Sequence, residues 1–137
     1  MTKYKNLKFV VDQHNAKSAG LHYDLRIQKS PNAKVLLSFA IRKGIPKDGK
    51  PYLAVKTPDH PEKWLTWQGT IPDGEYGAGT IKIYDHGTCD LIKQTKKVRV
   101  YDFRGTKEKL KGKYALVHMK NKEYLFIKVK NKVGETK

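Results

Sequence analysis

The segment His22-Tyr23-Asp24-Leu25-Arg26 carries the residue types and spacing in this sequence that most directly suggest chemistry. In an extended strand, residues i, i+2 and i+4 share one face. His22, Asp24 and Arg26 therefore line up as imidazole, carboxylate and guanidinium, while Leu21, Tyr23, Leu25 and Ile27 face the other way and can pack into a core. Same-face neighbours lie roughly 6.5–7 Å apart along a strand. At that spacing an imidazole and a carboxylate can converge on one metal ion at about 2.1 Å each. Arg26, one step further, would stand beside the ion, where an oxyanion would dock. A solvated polar face on an exposed strand is the simpler alternative. Three features favour a site: His14 lies upstream as a third ligand, His60 sits between the two prolines of Thr57-Pro58-Asp59-His60-Pro61, and the chain is strongly basic. Two imidazoles and one carboxylate leave positions open on a six-coordinate ion and suit Mn²⁺, Fe²⁺ or Zn²⁺ better than Ca²⁺. An open position is what catalysis on a phosphate or a bound water needs.

The elements that must position these groups read mainly as strands: 7–11, 21–28, 35–42, 52–56, 80–85, 88–93, 98–103, 113–119 and 124–130. Turn signals separate them, among them Ser30-Pro31-Asn32, Asp85-His86-Gly87 and Lys120-Asn121-Lys122. Many short strands at close spacing predict an all-β, closed or nearly closed barrel of about eight strands. One or two short helical turns are expected, at 15–19 and 107–110. Residues 57–61 and the glycine-rich 69–79 interrupt the strand pattern and read as loops; the latter lacks the Gly-Lys-Ser/Thr ending of a Walker loop and reads as a run of tight turns. Trp64 and Trp67 are expected in the core, with stacking on a terminal base as the functional alternative. His86 and His118 read as structural or exposed.

The 137 residues fit a single domain, 1–137, with 131–137 a frayed tail. One cysteine, Cys89, excludes a disulfide framework and a cysteine-rich zinc site. With 29 Lys+Arg against 13 Asp+Glu, the formal net charge is +16, a field that attracts polyanions such as phosphate backbones. Residues 1–8 are polar and basic without an apolar core, and the longest apolar-rich run, 35–41, is too short to span a bilayer. The expectation is a soluble, cytoplasmic monomer.

Taken in order, Phe9-Val10-Val11, His14, Leu21-His22-Tyr23-Asp24-Leu25-Arg26, Arg42-Lys43-Gly44, Leu53-Ala54-Val55, Asp59-His60-Pro61 and Gly69-Thr70-Ile71-Pro72-Asp73-Gly74-Glu75-Tyr76-Gly77-Ala78-Gly79-Thr80 resemble the 3′-phosphoesterase module of bacterial DNA ligase D, in its freestanding, archaeal-type form. The resemblance runs from about Phe9 to His118. It implies a compact β-barrel with a surface groove and Mn²⁺-dependent healing of 3′ ends, with Co²⁺ or Zn²⁺ as other candidate ions. Such enzymes remove a terminal ribonucleoside from a primer strand and then the remaining 3′-phosphate, leaving a 3′-OH. The resemblance further implies that His14, His22 and Asp24 hold the metal and that Arg26, Lys43 and His60 contact or activate the phosphate. The partners it implies are DNA or RNA–DNA 3′ ends on a primer–template, with a ligase or polymerase acting in trans. The chain departs from the family pattern at three places. His14 and His22 lie further apart than is common, Trp64 stands where tyrosine is frequent, and Tyr52 stands where an arginine often precedes the Leu-Ala-Val strand.

The residues themselves suggest a matching mechanism. Arg26 offers a planar fork to two phosphate oxygens and Lys43 a point charge. His60, with an ordinary pKa near 6.5, can protonate a leaving oxygen or hydrogen-bond the phosphate. Two other readings compete: a non-catalytic single-strand-binding barrel, and an Fe(II) oxygenase built on His-x-Asp plus a distant histidine. The oxygenase calls for neither the basic balance nor Arg26.

Overall fold

The computed structural model of the chain describes residues 2–47 and 49–130. Nine strands follow in order: β1 (Tyr4–Ala16), β2 (Gly20–Gln28), β3 (Val35–Ile41), β4 (Tyr52–Pro61), β5 (Gly69–Ile71), β6 (Gly79–Gln94), β7 (Val98–Gly105), β8 (Lys111–Lys120) and β9 (Glu123–Lys128). All pair antiparallel. The sheet runs β1-β2-β3-β4-β9-β8-β7-β6, and β6 pairs back onto β1, closing an eight-stranded barrel; β5 lies outside the ring on β6. Closure leaves no unpaired ring edge. The all-β barrel expected from the strand spacing is the architecture found.

Alternation along the strands fills the inside. Phe9 and Val11 of β1, Leu25 and Ile27 of β2, and Phe39 and Ile41 of β3 all turn into one core. Its centre is aromatic: Phe103 meets Phe9 edge-on at 5.0 Å, and Tyr114 stacks on Phe126 at 5.0 Å. Cys89 is buried there, and burial pushes its thiol well above the ordinary range. Leu21, expected to pack inward, is exposed.

Three local expectations are corrected. Residues 80–85 and 88–93 belong to one strand, β6, so Asp85-His86-Gly87 is not a turn. A register shift against β1 falls there instead, between Val11 and Asp12. Gly87 is required because a Cβ would come within 2.1 Å of the Arg104 carbonyl oxygen. Residues 57–61 are strand rather than loop: β4 continues to Pro61. Its register against β3 shifts between Leu36 and Ser38, and Pro58 falls in that irregularity, where no ladder N–H is demanded. The expected helical turns at 15–19 and 107–110 are a hairpin turn and a looped turn, respectively. The one helical piece among the described residues is a 3-10 turn over Glu62–Leu65, which carries Trp64. Among the described residues no helix is long and apolar enough to cross a membrane. The tail expected to fray, 131–137, lies outside the described residues.

Candidate metal centre and active-site cavity

The β1–β2 hairpin builds the polar cluster. Its ladder sets His14 directly across from His22, Asp12 across from Asp24 and Val10 across from Arg26. The long separation of the two histidines in sequence is absorbed by the turn at 17–19, which Arg42 steadies with a 3.1 Å hydrogen bond to the Ala19 carbonyl. Although His14 was expected beyond its strand, β1 extends to Ala16 and holds it inside the ladder.

Asp24 lies between the two imidazoles. Its Oδ2 is 3.0 Å from His14 Nδ1 and its Oδ1 is 3.3 Å from His22 Nε2. The outer nitrogens face backbone carbonyls: His14 Nε2 lies 2.7 Å from the Gly77 oxygen, and His22 Nδ1 lies 3.1 Å from the Gly20 oxygen. One donor atom from each of the three residues falls within 4.8 Å of the others. This donor set fits a divalent metal. Ligand atoms that share an ion at about 2.1 Å sit roughly 3.0–3.4 Å apart. Metal-bound histidines typically give their other N–H to a carbonyl or carboxylate, which fixes ring orientation and tautomer.

Burial and the neighbours set the charges. Burial opposes ionisation of Asp24, but hydrogen bonds from His14 and His22 and the charge of Arg26 overcome it and hold the carboxyl well below the usual range. The hydrogen bond to Asp24 raises the pKa of His14 above 6.5 against the effect of burial. Arg26 is itself buried, at 3% exposure. One terminal nitrogen donates to Asp12 Oδ2 and the other to Asp24 Oδ2 at 3.4 Å, while the Trp64 ring covers the guanidinium at 5.0 Å. Arg26 is thus not the open fork expected from the sequence; two carboxylates already orient it.

Asp12, which the sequence reading missed, supports the site by pairing with Arg26. It is fully buried in β1, and burial pushes its carboxyl up to about 7 against the opposing charge of Arg26. The available signal was its place two residues before His14, on the same face of the strand. The Gly69–Gly79 segment was likewise undervalued. Its Gly77 backbone has φ 78 and presents the carbonyl that His14 meets; a Cβ at Gly77 would lie 3.4 Å from the His14 ring.

All six expected site residues, His14, His22, Asp24, Arg26, Lys43 and His60, line one cavity of ≈ 1090 Å³. They do not form one contact group. His60 connects through Trp64: its ring meets Trp64 edge-on at 5.4 Å, and Trp64 lies against Arg26. Burial, followed by the charge of Arg26, lowers the pKa of His60 below 6.5. Lys43 stands exposed at the rim, with its ammonium 5.9 Å from the Tyr52 ring centroid. Neither tryptophan is in the core; both are half-buried, and Trp67 backs Trp64 at 5.0 Å. A cavity with a candidate metal-ligand cluster beside a guanidinium has the charge to hold and polarise an anionic ester.

Residues 12–118 match the DNA ligase D 3′-phosphoesterase domain. The chain belongs to this family. The chain is also similar to curated relatives described as multifunctional non-homologous end joining proteins LigD. The protein from Mycolicibacterium smegmatis is 39% identical over 92% of this chain and 17% of its own length. That from Pseudomonas aeruginosa is 32% identical over 96% of this chain and 16% of its own. The Mycobacterium tuberculosis protein, described as a multifunctional non-homologous end joining DNA repair protein, is 36% identical over 90% and 16%. The chain therefore spans about a sixth of the length of these relatives.

Proposed function

We propose that this chain is a divalent-metal-dependent 3′-end phosphoesterase, acting as a single domain that removes 3′-terminal ribonucleosides and 3′-phosphates from nucleic acid strands and leaves 3′-OH ends for repair. The observation that carries the reading is the convergence of His14 Nδ1, His22 Nε2 and the Asp24 carboxylate beside a buried, carboxylate-oriented Arg26 on the floor of a cavity in a chain of charge +16. Mn²⁺ is the ion proposed, with Co²⁺ or Zn²⁺ as substitutes. A divalent ion at this position supplies charge neutralisation at a phosphoryl oxygen and acidification of an attacking water.

The chain's own residues do the rest. Asp12 and Asp24 hold Arg26 in place, so its remaining N–H groups can meet a phosphate oxygen without reorganisation. Trp64 limits water at the guanidinium and strengthens its electrostatic effect. His60, which burial keeps neutral near pH 7, hydrogen-bonds the phosphate and is close to the site through Trp64. Lys43 draws the strand to the rim. In the monoesterase step, water adds to phosphorus, the bond from phosphorus to O3′ breaks, a proton from that water passes to O3′, and the products are a 3′-OH and inorganic phosphate. The repaired end would pass to a ligase or polymerase acting in trans.

The reading is tested with the protein and Mn²⁺ on two primer–templates, one ending in a single 3′-ribonucleotide and one in a 3′-phosphate. Conversion of both to 3′-OH, abolished by EDTA, is the expected result. Strand binding without turnover, insensitive to EDTA, would make the chain a binding barrel instead.

A further inference from the structure

The cavity wall formed by Lys43 and Tyr52 has a second side. An open groove of ≈ 340 Å³ shares those two residues and continues to Lys47, Tyr23, Tyr84 and Lys109. Tyr23 points to the face of β2 opposite His22 and Asp24, so the groove follows the barrel rim around from the metal cluster. Its composition is aromatic and cationic, and no carboxylate lines it among the described residues. The groups are already arranged in pairs: Lys43 lies over the Tyr52 ring at 5.9 Å, Lys109 lies over Tyr84 at 5.6 Å, and Tyr84 meets Tyr23 edge-on at 5.1 Å. Gly44, at φ 89, lets the backbone lie against Tyr23, where a Cβ would be 3.2 Å from the ring.

The far side of the groove is held in place. Asp85 is fully buried next to Tyr84 and accepts backbone hydrogen bonds from Lys107 at 2.8 Å, Lys109 at 2.9 Å and Leu110 at 2.8 Å. A buried carboxylate that satisfies several N–H groups of one loop fixes that loop's path. Here it presents the exposed side chain of Lys109 above Tyr84.

We propose that this groove seats the unpaired nucleotides immediately upstream of the reacting 3′ end, with bases against the tyrosine faces and phosphates on Lys43, Lys47 and Lys109. The inference rests on the phosphoesterase reading, because continuity with the cavity is what orients the strand. Rings that every base can stack on, alternating with lysines that take the phosphates, give strand binding without sequence choice. Each lysine now lying over a ring can turn to a phosphate as a base takes its place. The grip would let the enzyme hold a frayed end, in contrast to a groove for the complementary strand.

The test is fluorescence anisotropy of a labelled single-stranded oligonucleotide ending in 3′-OH, and of the same strand annealed as a primer–template duplex, across a salt series, with wild type, Tyr84→Ala, Lys109→Ala and a control, Lys96→Ala, in the hairpin between β6 and β7. Tyr84→Ala should weaken binding by about tenfold. Lys109→Ala should reduce the slope of log affinity against log salt by about 0.7, as loss of one single-strand phosphate contact does. Lys96→Ala should match wild type. Wild-type binding and slope in both groove variants would overturn the proposal, as would losses seen only with a primer–template duplex. Circular dichroism checks folding; if Tyr84→Ala does not fold, Lys109→Ala decides alone. Phosphate release by wild type from a 3′-phosphate strand is measured in parallel. Its absence, with groove effects intact, would count against the phosphoesterase reading; its presence, with no groove effects, would count against the groove alone.

Discussion

The two walls of the cavity are built differently. The β1–β2 wall holds His14, His22, Asp24, Arg26 and Asp12 in a regular ladder and ties them by hydrogen bonds between charged side chains, leaving Asp12 Oδ1 and Arg26 Nε buried without a partner. The wall from β4 into the 3-10 turn holds His60 and Trp64 on an irregular strand end with two prolines, and its contacts are mainly ring against ring. His60 Nδ1 is buried without a hydrogen-bond partner. The difference shows in the two histidines. One imidazole among acceptors has its pKa raised, while the other, beside apolar rings and a guanidinium, has it lowered. The ladder wall brings together a donor set compatible with a divalent cation. The other wall is open to polar contacts that a substrate would complete.

If this contrast is right, the largest loss should come from the ladder wall. Asp24→Asn keeps the shape and removes the charge shared by both imidazoles. Residues that merely support a metal ligand are worth about 10–100-fold in affinity or activity, so loss of this ligand should exceed that in a steady-state phosphate-release assay. Asp12→Ala comes next and should act on the fold as well as on turnover. It leaves the buried Arg26 short of one carboxylate, and breaking such a pair costs about 3–5 kcal/mol; urea unfolding measures it. A variant with unchanged stability would mean that Asp24 alone holds the guanidinium.

A smaller effect separates the walls by pH. Without metal, His14 should titrate above 6.5 and His60 below it in a histidine NMR titration. The stabilising contribution of His14 is complete below the unfolded value near 6.5 and is lost as pH rises through its raised pKa. That of His60 is complete above 6.5 and is lost as pH falls through its lowered pKa. Diamagnetic Zn²⁺ should abolish the His14 titration and leave that of His60 in place. The smallest change is expected from Trp64→Phe, which keeps an aromatic face against Arg26 and His60. Since a desolvated cation–π contact is worth about 2 kcal/mol in full, its partial loss should cost less than about tenfold in kcat/KM.

The ladder wall was legible in the sequence because its signal is local. The period of two in His22-Tyr23-Asp24-Leu25-Arg26 fixes which side chains share a face, and antiparallel pairing needs only the neighbouring strand to bring in His14. Asp12 escaped notice because its i, i+2 spacing to His14 says only that the two share a face; its pairing with Arg26 depends on the partner strand across the hairpin. The other wall depended on longer-range facts. Prolines at 58 and 61 signalled a loop, yet the bulge opposite Leu36–Ser38 admits them into β4. Asp85-His86-Gly87 signalled a turn, yet Asp85 serves the distant loop 107–110 and β6 runs straight through. Trp64 and Trp67 signalled core by their size, but the barrel interior was already filled by Phe9, Phe39, Phe103 and Phe126.

Calorimetric titration of Mn²⁺ into the metal-stripped protein tests the central claim most directly, with Asp24→Asn run beside wild type. The account predicts one saturable site per chain in wild type and none in the variant. Equal binding by both proteins, or no saturable binding by wild type, would contradict it.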